Sequence, residues 1–136
     1  MLSRKDIHVV DIATTNDKHY DIALQSLKAG KNVIVEKPVA FTAVQIKKLV
    51  DIAKEQGNEI CVCLQKRFNE SMKILKNKID AKEFGEFLYG FTKVIVPRPI
   101  EYYNERRSSI EKAGGGVLLY SAIHDVDLLC CLFGNV

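Results

Sequence analysis

The chain has 136 residues, of which 47% are hydrophobic and 27% are charged, a balance typical of one folded domain and not of a disordered or collagen-like chain. Its 20 basic and 17 acidic residues are interspersed and leave a net charge of +3, so there is no basic stripe of the kind that predicts nucleic-acid binding. No apolar run approaches the roughly 18 residues of a membrane span, and the first residues lack the apolar core of a signal peptide. We therefore expect a cytoplasmic protein that binds neither nucleic acid nor a membrane.

The first 64 residues alternate between strand and helix patterns. Runs of β-branched residues and helical apolar spacing predict strands over residues 7–14, 32–36 and 59–64, and helices over residues 17–29 and between Thr42 and Gly57. Thr42 is a helix-capping residue, and Gly30 and Gly57 are typical helix terminators. The order strand–helix–strand–helix–strand favours a parallel sheet with right-handed crossovers, and hence an α/β fold.

The pattern changes after Gln65. We predict a helix over residues 70–79, a strand over 87–96, a polar loop over 100–113 and an apolar helix over 117–133. Three parallel strands followed by one lone strand would leave exposed sheet edges. We therefore expect the chain to be the middle segment of something larger.

The four cysteines, Cys61, Cys63, Cys130 and Cys131, lie in apolar segments without CxxC spacing and without a histidine at ligand distance. This pattern argues against a zinc site and against a metal or redox function, so we expect no metal. We expect the cysteines to pack as small hydrophobic residues in a reducing compartment.

Two short segments lie where a parallel sheet binds its ligands, beyond the carboxyl ends of the strands. Thr14–Asn16 follows the first predicted strand and Glu36–Pro38 follows the second, so neighbouring strands would bring them side by side. The helix after Asn16 points its positive end at this edge, which suits an anionic or polar ligand. Lys37 is either a partly desolvated lysine suited to proton transfer or a solvated lysine at a strand end.

The apolar helix over residues 117–133 carries a second set of candidate side chains. Tyr120 lies four residues before His124 and Asp127 lies three after it, so the spacing predicts that the three share one helix face. Asp127 could orient the imidazole and Tyr120 could donate a hydrogen bond, which would make an acid/base group. The alternative is a core histidine satisfied by a nearby carboxylate.

Two further features have less specific interpretations. His19 lies in the first turn of the first helix and faces either the ligand edge or solvent. Gly114–Gly116 lacks the GxGxxG spacing of a phosphate loop, and we expect it to let the backbone approach a ligand or another strand closely.

Five ordered motifs together resemble the glucose–fructose oxidoreductase / inositol dehydrogenase (Gfo/Idh/MocA) family. They are Asp6–Asn16 with His19, the segment Ala23–Val33 leading into Glu36-Lys37-Pro38, Gln65–Asn69, Gly85 with the strand pattern after it, and Gly114–Leu119 followed by His124, Asp127–Leu129 and Gly134. The resemblance covers essentially the whole chain. It implies the C-terminal half of a Rossmann parallel sheet over residues 1–64, followed by the start of an α+β substrate domain over residues 65–136.

The resemblance also implies a function. Family members oxidise or reduce a secondary hydroxyl of a sugar, nucleotide-sugar or cyclitol with NAD or NADP. It implies catalytic roles in proton transfer for Lys37 and His124. The residues implied to bind the cofactor are Thr14, Thr15, Asn16, His19, Glu36, Lys37 and Pro38. Those implied to bind the substrate are Lys37, Arg98, Tyr103, Tyr120, His124 and Asp127, and Arg98 with Tyr102 and Tyr103 is similar to a segment of the subset that acts on nucleotide-linked N-acetyl sugars.

The sequence departs from the family pattern in three respects. Thr15 stands in place of the usual proline, Tyr120 stands where many members carry a catalytic Asp or Asn, and there is no tryptophan. The GxGxxG unit and most of the sheet that follows the glycine-rich helix are not in the sequence, so we expect an internal fragment. The alternative to an oxidoreductase is an inactive remnant or an assembly piece. The expected partners are a small sugar-like substrate and either a second copy or a complementing chain.

Overall fold

The computed structural model describes residues 1–103 and 107–134. Its centre is a parallel sheet of three strands, β1 (Val9–Ile12), β2 (Asn32–Val35) and β3 (Ile60–Val62), in the order β1-β2-β3. β2 is the middle strand, and Val33 is in register with Val10 on one side and with Ile60 on the other. The predicted α/β fold is confirmed, with each strand shorter than its apolar run.

Two helices connect these strands and cover one face of the sheet. They are α1 (Asn16–Lys28) and α2 (Ala43–Gln56). The predicted boundary signals are confirmed: the Thr42 hydroxyl accepts a hydrogen bond from the Gln45 amide at 3.2 Å, and Gly57 takes the left-handed conformation that ends α2. The core lies between the helices and the sheet and consists of Val10, Ile12, Ala23, Leu27, Val33, Val35, Leu49 and Ala53.

The rest of the described chain consists of helices and 3₁₀ turns joined by irregular segments. A 3₁₀ turn over Gln65–Phe68 leads into α3 (Glu70–Asp80), and another over Ile100–Tyr102 precedes α4 (Ile110–Ala113), α5 (Val117–Tyr120) and α6 (Ile123–Phe133). α4 and the 3₁₀ turn over Ile100–Tyr102 fall within the predicted polar loop, so that part of the loop prediction is wrong. Residues 104–106 of that loop lie outside the described residues.

The structure corrects two predicted elements. Residues 87–96 form no strand, because within the described residues no neighbouring strand supplies the hydrogen bonds that a strand needs. The helix predicted over residues 117–133 is two helices, because the Ala122 amide donates to the Val117 carbonyl, five residues back, and not four. This wider turn separates α5 from α6.

The cysteines are also placed differently from the prediction. Cys61 and Cys130 are exposed, Cys63 and Cys131 are half-buried, and all four are free thiols. Cys61 and Cys130 are outside the core, because the face of β3 that carries Cys61 and the side of α6 that carries Cys130 are uncovered. Burial raises the pKa of the Cys63 thiol, and the nearby carboxylates of Glu36 and Asp11 act in the same direction.

Across the described ranges, no single helix is long and apolar enough to cross a membrane, and the pair Ile110–Tyr120 and Ile123–Phe133, bent by 43°, reaches that length and composition only when joined.

Candidate active site at the carboxyl edge of the sheet

His19 joins the two predicted ligand-edge segments. Its side chain is 1% exposed. Nδ1 lies 2.9 Å from the Pro38 carbonyl oxygen, and Nε2 lies 3.1 Å from the Thr14 carbonyl oxygen. The segments are therefore side by side, as predicted. Because both ring nitrogens face main-chain carbonyls, His19 fixes the loops from beneath and faces neither the ligand edge nor solvent.

Lys37 follows β2 and reaches across to the second half of the chain. Its Nζ donates a 2.8 Å hydrogen bond to the Tyr120 carbonyl oxygen and lies 5.7 Å from the centre of the Tyr120 ring. Its own amide donates to the Glu36 carboxylate at 3.2 Å, and the Lys37–Pro38 peptide bond is cis. The lysine is half-buried.

His124 lies in the first turn of α6 and is 8% exposed. Its Nδ1 is buried and has no hydrogen-bond partner. Burial lowers the pKa of His124 below its usual range, and the positive charges of Lys37 and Lys66 lower it further. The imidazole is therefore held in its neutral form, with one buried nitrogen unpaired in a region where a buried polar atom normally has a partner.

The predicted pairing of His124 with Asp127 is wrong. Asp127 accepts two hydrogen bonds from the Arg67 guanidinium, one of them 2.7 Å long from Nε. Two residues earlier, Lys66 Nζ donates to both carboxylate oxygens of Asp125, at 2.8 and 2.9 Å. These two ion pairs attach α6 to the 3₁₀ turn Gln65–Phe68. Asp127 thus helps to fix the helix that carries His124 and is not the partner of the imidazole.

Tyr120 is not on the helix of His124, because α5 ends at Tyr120 before the break. Its hydroxyl oxygen accepts a 3.1 Å hydrogen bond from Arg107 Nε. That hydrogen bond lowers the pKa of Tyr120. The guanidinium groups of Arg107 and Arg98 lie 4.1 and 4.4 Å from the centre of the Tyr102 ring, within the range of cation–π attraction.

Two cavities meet at Tyr120 and Arg107. The larger is about 390 Å³ and is also lined by residues 94–96, Arg98, Tyr102, Tyr103, Gly115 to Val117 and Ser121. The smaller is about 90 Å³ and is also lined by Thr14, Thr15, Asn16, Lys112 and Ala113. The structure thus brings one predicted cofactor segment and the predicted substrate residues Arg98, Tyr103 and Tyr120 to adjoining spaces.

Three residues of this region were not among the predicted site residues. Arg107 lies in the segment predicted as a polar loop. Lys66 and Arg67 lie in the motif Gln65–Asn69, which indicated the family and no site. No spacing rule in the sequence connects Arg107 to Tyr120, or Arg67 to Asp127. Gly114 does allow the close approach that was expected, but to a side chain: a Cβ placed there would lie 2.3 Å from the Phe41 ring. In the part of the chain that the structure describes, no three His, Cys, Asp or Glu side chains are grouped to hold a metal ion.

The parallel strand order, the crossover helices and the polar loops at the carboxyl edge define a nucleotide-binding α/β protein of the Rossmann type. Residues 1–64 match the model of the oxidoreductase family with an NAD-binding Rossmann fold, Gfo/Idh/MocA. These residues belong to this family. The prediction of the family is therefore confirmed, as is the nicotinamide cofactor that the family uses.

Several known proteins are similar to the chain. The scyllo-inositol 2-dehydrogenase (NAD(+)) of Bacillus subtilis is 30% identical over 136 residues, which are 98% of this chain and 37% of that protein. The WlbA dehydrogenase from Bordetella pertussis, whose crystal structure is in complex with NADH and UDP-GlcNAcA, is 30% identical in sequence, with a TM-score of 0.84. That match covers 100% of this chain and 40% of the WlbA chain. A levoglucosan dehydrogenase in complex with NADH and levoglucosan is 28% identical, with a TM-score of 0.78, and that match covers 98% of this chain and 37% of the levoglucosan dehydrogenase chain. The chain thus spans under half the length of these relatives.

Proposed function

We propose that the chain carries the active-site segment of an NAD- or NADP-dependent oxidoreductase that acts on a secondary hydroxyl of a sugar, nucleotide-sugar or cyclitol. In this proposal residues 1–64 belong to the dinucleotide-binding domain and residues 65–136 to the substrate domain. The observation that carries it is the placement of Lys37 after β2, close enough to His124 for its charge to act on the imidazole, whose buried Nδ1 has no hydrogen-bond partner. The sugar-like ligands in the structures of two relatives support the substrate class.

The residues at this edge fit a nicotinamide ring. Thr14–Asn16 lines the small cavity beside Tyr120, and the buried Nδ1 of His124 is a polar atom that still requires a partner. We propose that Thr14, Thr15, Asn16, Glu36, Lys37 and Pro38 line the nicotinamide side, with His19 supporting them from below. When bound, an oxidised nicotinamide would accept a hydride from the carbon that carries the reacting hydroxyl.

The chain's own residues handle the proton. Lys37 is anchored by a main-chain carbonyl, so its ammonium group can hold the substrate hydroxyl in one orientation. His124 is neutral because burial and two nearby positive charges disfavour its protonation. A neutral imidazole can accept the hydroxyl proton during oxidation and return it during reduction. Arg98, Tyr103 and Tyr120 border the cavity that would hold the rest of the sugar, and Asp127 acts by fixing α6.

The test is cofactor binding and hydride transfer by the full chain. NADH and NADPH are titrated by fluorescence, and reduction of NAD and NADP is followed with inositols, levoglucosan and UDP-linked sugars. We expect Lys37→Ala to lose at least ~100-fold in kcat, the lower range of a lost proton-transfer group. Lys48→Ala, on the exposed side of α2, is the matched control and should keep wild-type activity. A wild-type chain that binds neither cofactor, or a fully active Lys37→Ala variant, would contradict the proposal.

A second candidate, an assembly function, is favoured by one observation. Large apolar side chains between residues 84 and 96 are exposed, with Leu88 at 94% and Tyr89 at 81%, and contiguous exposed apolar surface marks interaction sites. We propose that this segment binds a second copy or a complementing chain. Size-exclusion chromatography with light scattering tests this proposal. Leu88→Lys should reduce the mass of the complex, and a monomeric wild-type chain that binds no other chain would contradict the proposal.

The four free cysteines support a reducing, cytoplasmic location.

A further inference from the structure

Arg107 and Tyr120 form a pair at the wall between the two cavities. Arg107 Nε donates to the Tyr120 hydroxyl oxygen at 3.1 Å, and Arg107 Nη1 donates to the Tyr102 carbonyl at 3.3 Å. The Tyr102 ring, 4.1 Å from the guanidinium carbon, holds the same group from its face. These contacts help to fix the direction from which the guanidinium approaches the phenol.

This approach determines what the Tyr120 hydroxyl can do. A phenol oxygen that accepts from a guanidinium must direct its own hydrogen elsewhere, and Tyr120 borders both cavities. A hydrogen bond from a cation stabilises the phenolate more than the phenol, which makes the hydroxyl a stronger donor and acid. The charged and titratable groups that act on this phenol are Arg107, Tyr102 and Lys37.

We propose that Arg107 is a positioning residue that holds Tyr120 as a hydrogen-bond donor to the substrate, beside Lys37 and His124. This inference rests on the proposed function, since it names a further substrate-binding group in the same site. Tyr120 donates to an oxygen of the sugar next to the reacting carbon, or to the carbonyl oxygen formed there. This role involves no covalent step, because the Tyr120 hydroxyl proton is shared in a hydrogen bond and is not transferred to the substrate.

The geometry is tested first without cofactor or substrate. The phenolate absorbance of the full chain is titrated in the near ultraviolet, and Tyr120→Phe identifies the contribution of Tyr120. We expect Arg107→Gln to move the titration of Tyr120 to higher pH, and Arg107→Lys to restore part of the shift because it keeps the charge and loses the fixed fork. Arg98→Gln is the matched control, because Arg98 stacks on the same Tyr102 ring and should leave the titration of Tyr120 unchanged. An unchanged titration in Arg107→Gln would overturn the inference.

The role toward substrate is tested by kinetics. With a substrate found in the sugar screen, Tyr120→Phe and Arg107→Gln should each lose on the order of tenfold in kcat/KM, the effect of one lost hydrogen bond. The pH profile of Arg107→Gln should move in the same direction as the phenol titration. A general structural defect would lower activity equally at every pH. Wild-type kcat/KM in Tyr120→Phe would overturn the donor role. A wild-type chain without hydride transfer would overturn the proposed function together with this role, while the titration would still decide whether Arg107 controls the phenol.

Discussion

Replacing His19 by alanine tests whether the ligand edge is held together from below. The imidazole is almost fully buried, and its two ring nitrogens lie 2.9 and 3.1 Å from one carbonyl oxygen of each loop. A neutral imidazole has one N–H, so it donates a hydrogen bond to one of these carbonyls and packs against the other. Removing the ring leaves the accepting carbonyl without its donor, which costs about 1–3 kcal/mol, and the space left by the ring adds about 1 kcal/mol. We therefore expect His19→Ala to lower the free energy of unfolding by about 3 kcal/mol, a large part of a typical total of about 5–15 kcal/mol.

The assay is urea unfolding followed by circular dichroism, with the slope compared between variants to confirm that the same transition is measured. His8→Ala is the matched control, since His8 is exposed and its loss should change the free energy by no more than about 0.5 kcal/mol. His19→Gln, whose amide keeps a hydrogen-bond donor, should fall between the two. If His19→Ala unfolds within about 1 kcal/mol of the wild type, the imidazole does not fix the loops and the reasoning is refuted.

Three further predictions concern the elements around the site. Because burial and the charges of Lys37 and Lys66 lower the pKa of His124 in the folded chain, its stabilising effect is present above the unfolded value of about 6.5 and is lost as the pH falls. Wild-type protein should thus lose more free energy of unfolding between about pH 7.5 and pH 5 than His124→Gln, and parallel curves would contradict this. Gly114→Ala should destabilise by roughly 2–4 kcal/mol, because Gly114 has φ +88° and the added Cβ would lie 2.3 Å from Phe41; Gly116→Ala, which meets no atom within 4 Å, should be almost neutral in the same urea assay. Arg67→Ala should lose about 1 kcal/mol in a salt-dependent manner. A Lys47→Ala control, which breaks an exposed pair with Asp51, should lose less; equal losses would show that the Arg67–Asp127 pair does not hold α6.

The parts of the fold that sequence reasoning predicted are those with local causes. The Thr42 cap, the left-handed Gly57 and the apolar runs of the strands each act within a few residues, so the first 64 residues follow the prediction closely. The strand predicted over residues 87–96 depended on a pairing partner, which local composition cannot supply. The break between α5 and α6 arises from one wider turn at Ala122, and no helix-breaking residue type at that turn could have predicted it.

The candidate site divides in the same way. Strand order alone predicted that Thr14–Asn16 and Glu36–Pro38 would lie together, because parallel strands share one carboxyl edge. Helical spacing paired His124 with Asp127, and this was wrong because Arg67, distant in sequence, offers the carboxylate a charged two-point contact. Arg107 was missed for a similar reason: its effect on Tyr120 depends on how a polar segment folds back, which periodicity does not encode.

The anchor of Lys37 has a consequence for how such a site can change. Its acceptor is the main-chain carbonyl of residue 120, and every amino acid carries that carbonyl. The side chain at position 120 can therefore be exchanged without releasing the lysine. Under the proposed function, selectivity for the sugar and retention of the lysine would then vary independently: a new side chain at position 120 would reshape the cavity, while Lys37 would keep the same hydrogen bond.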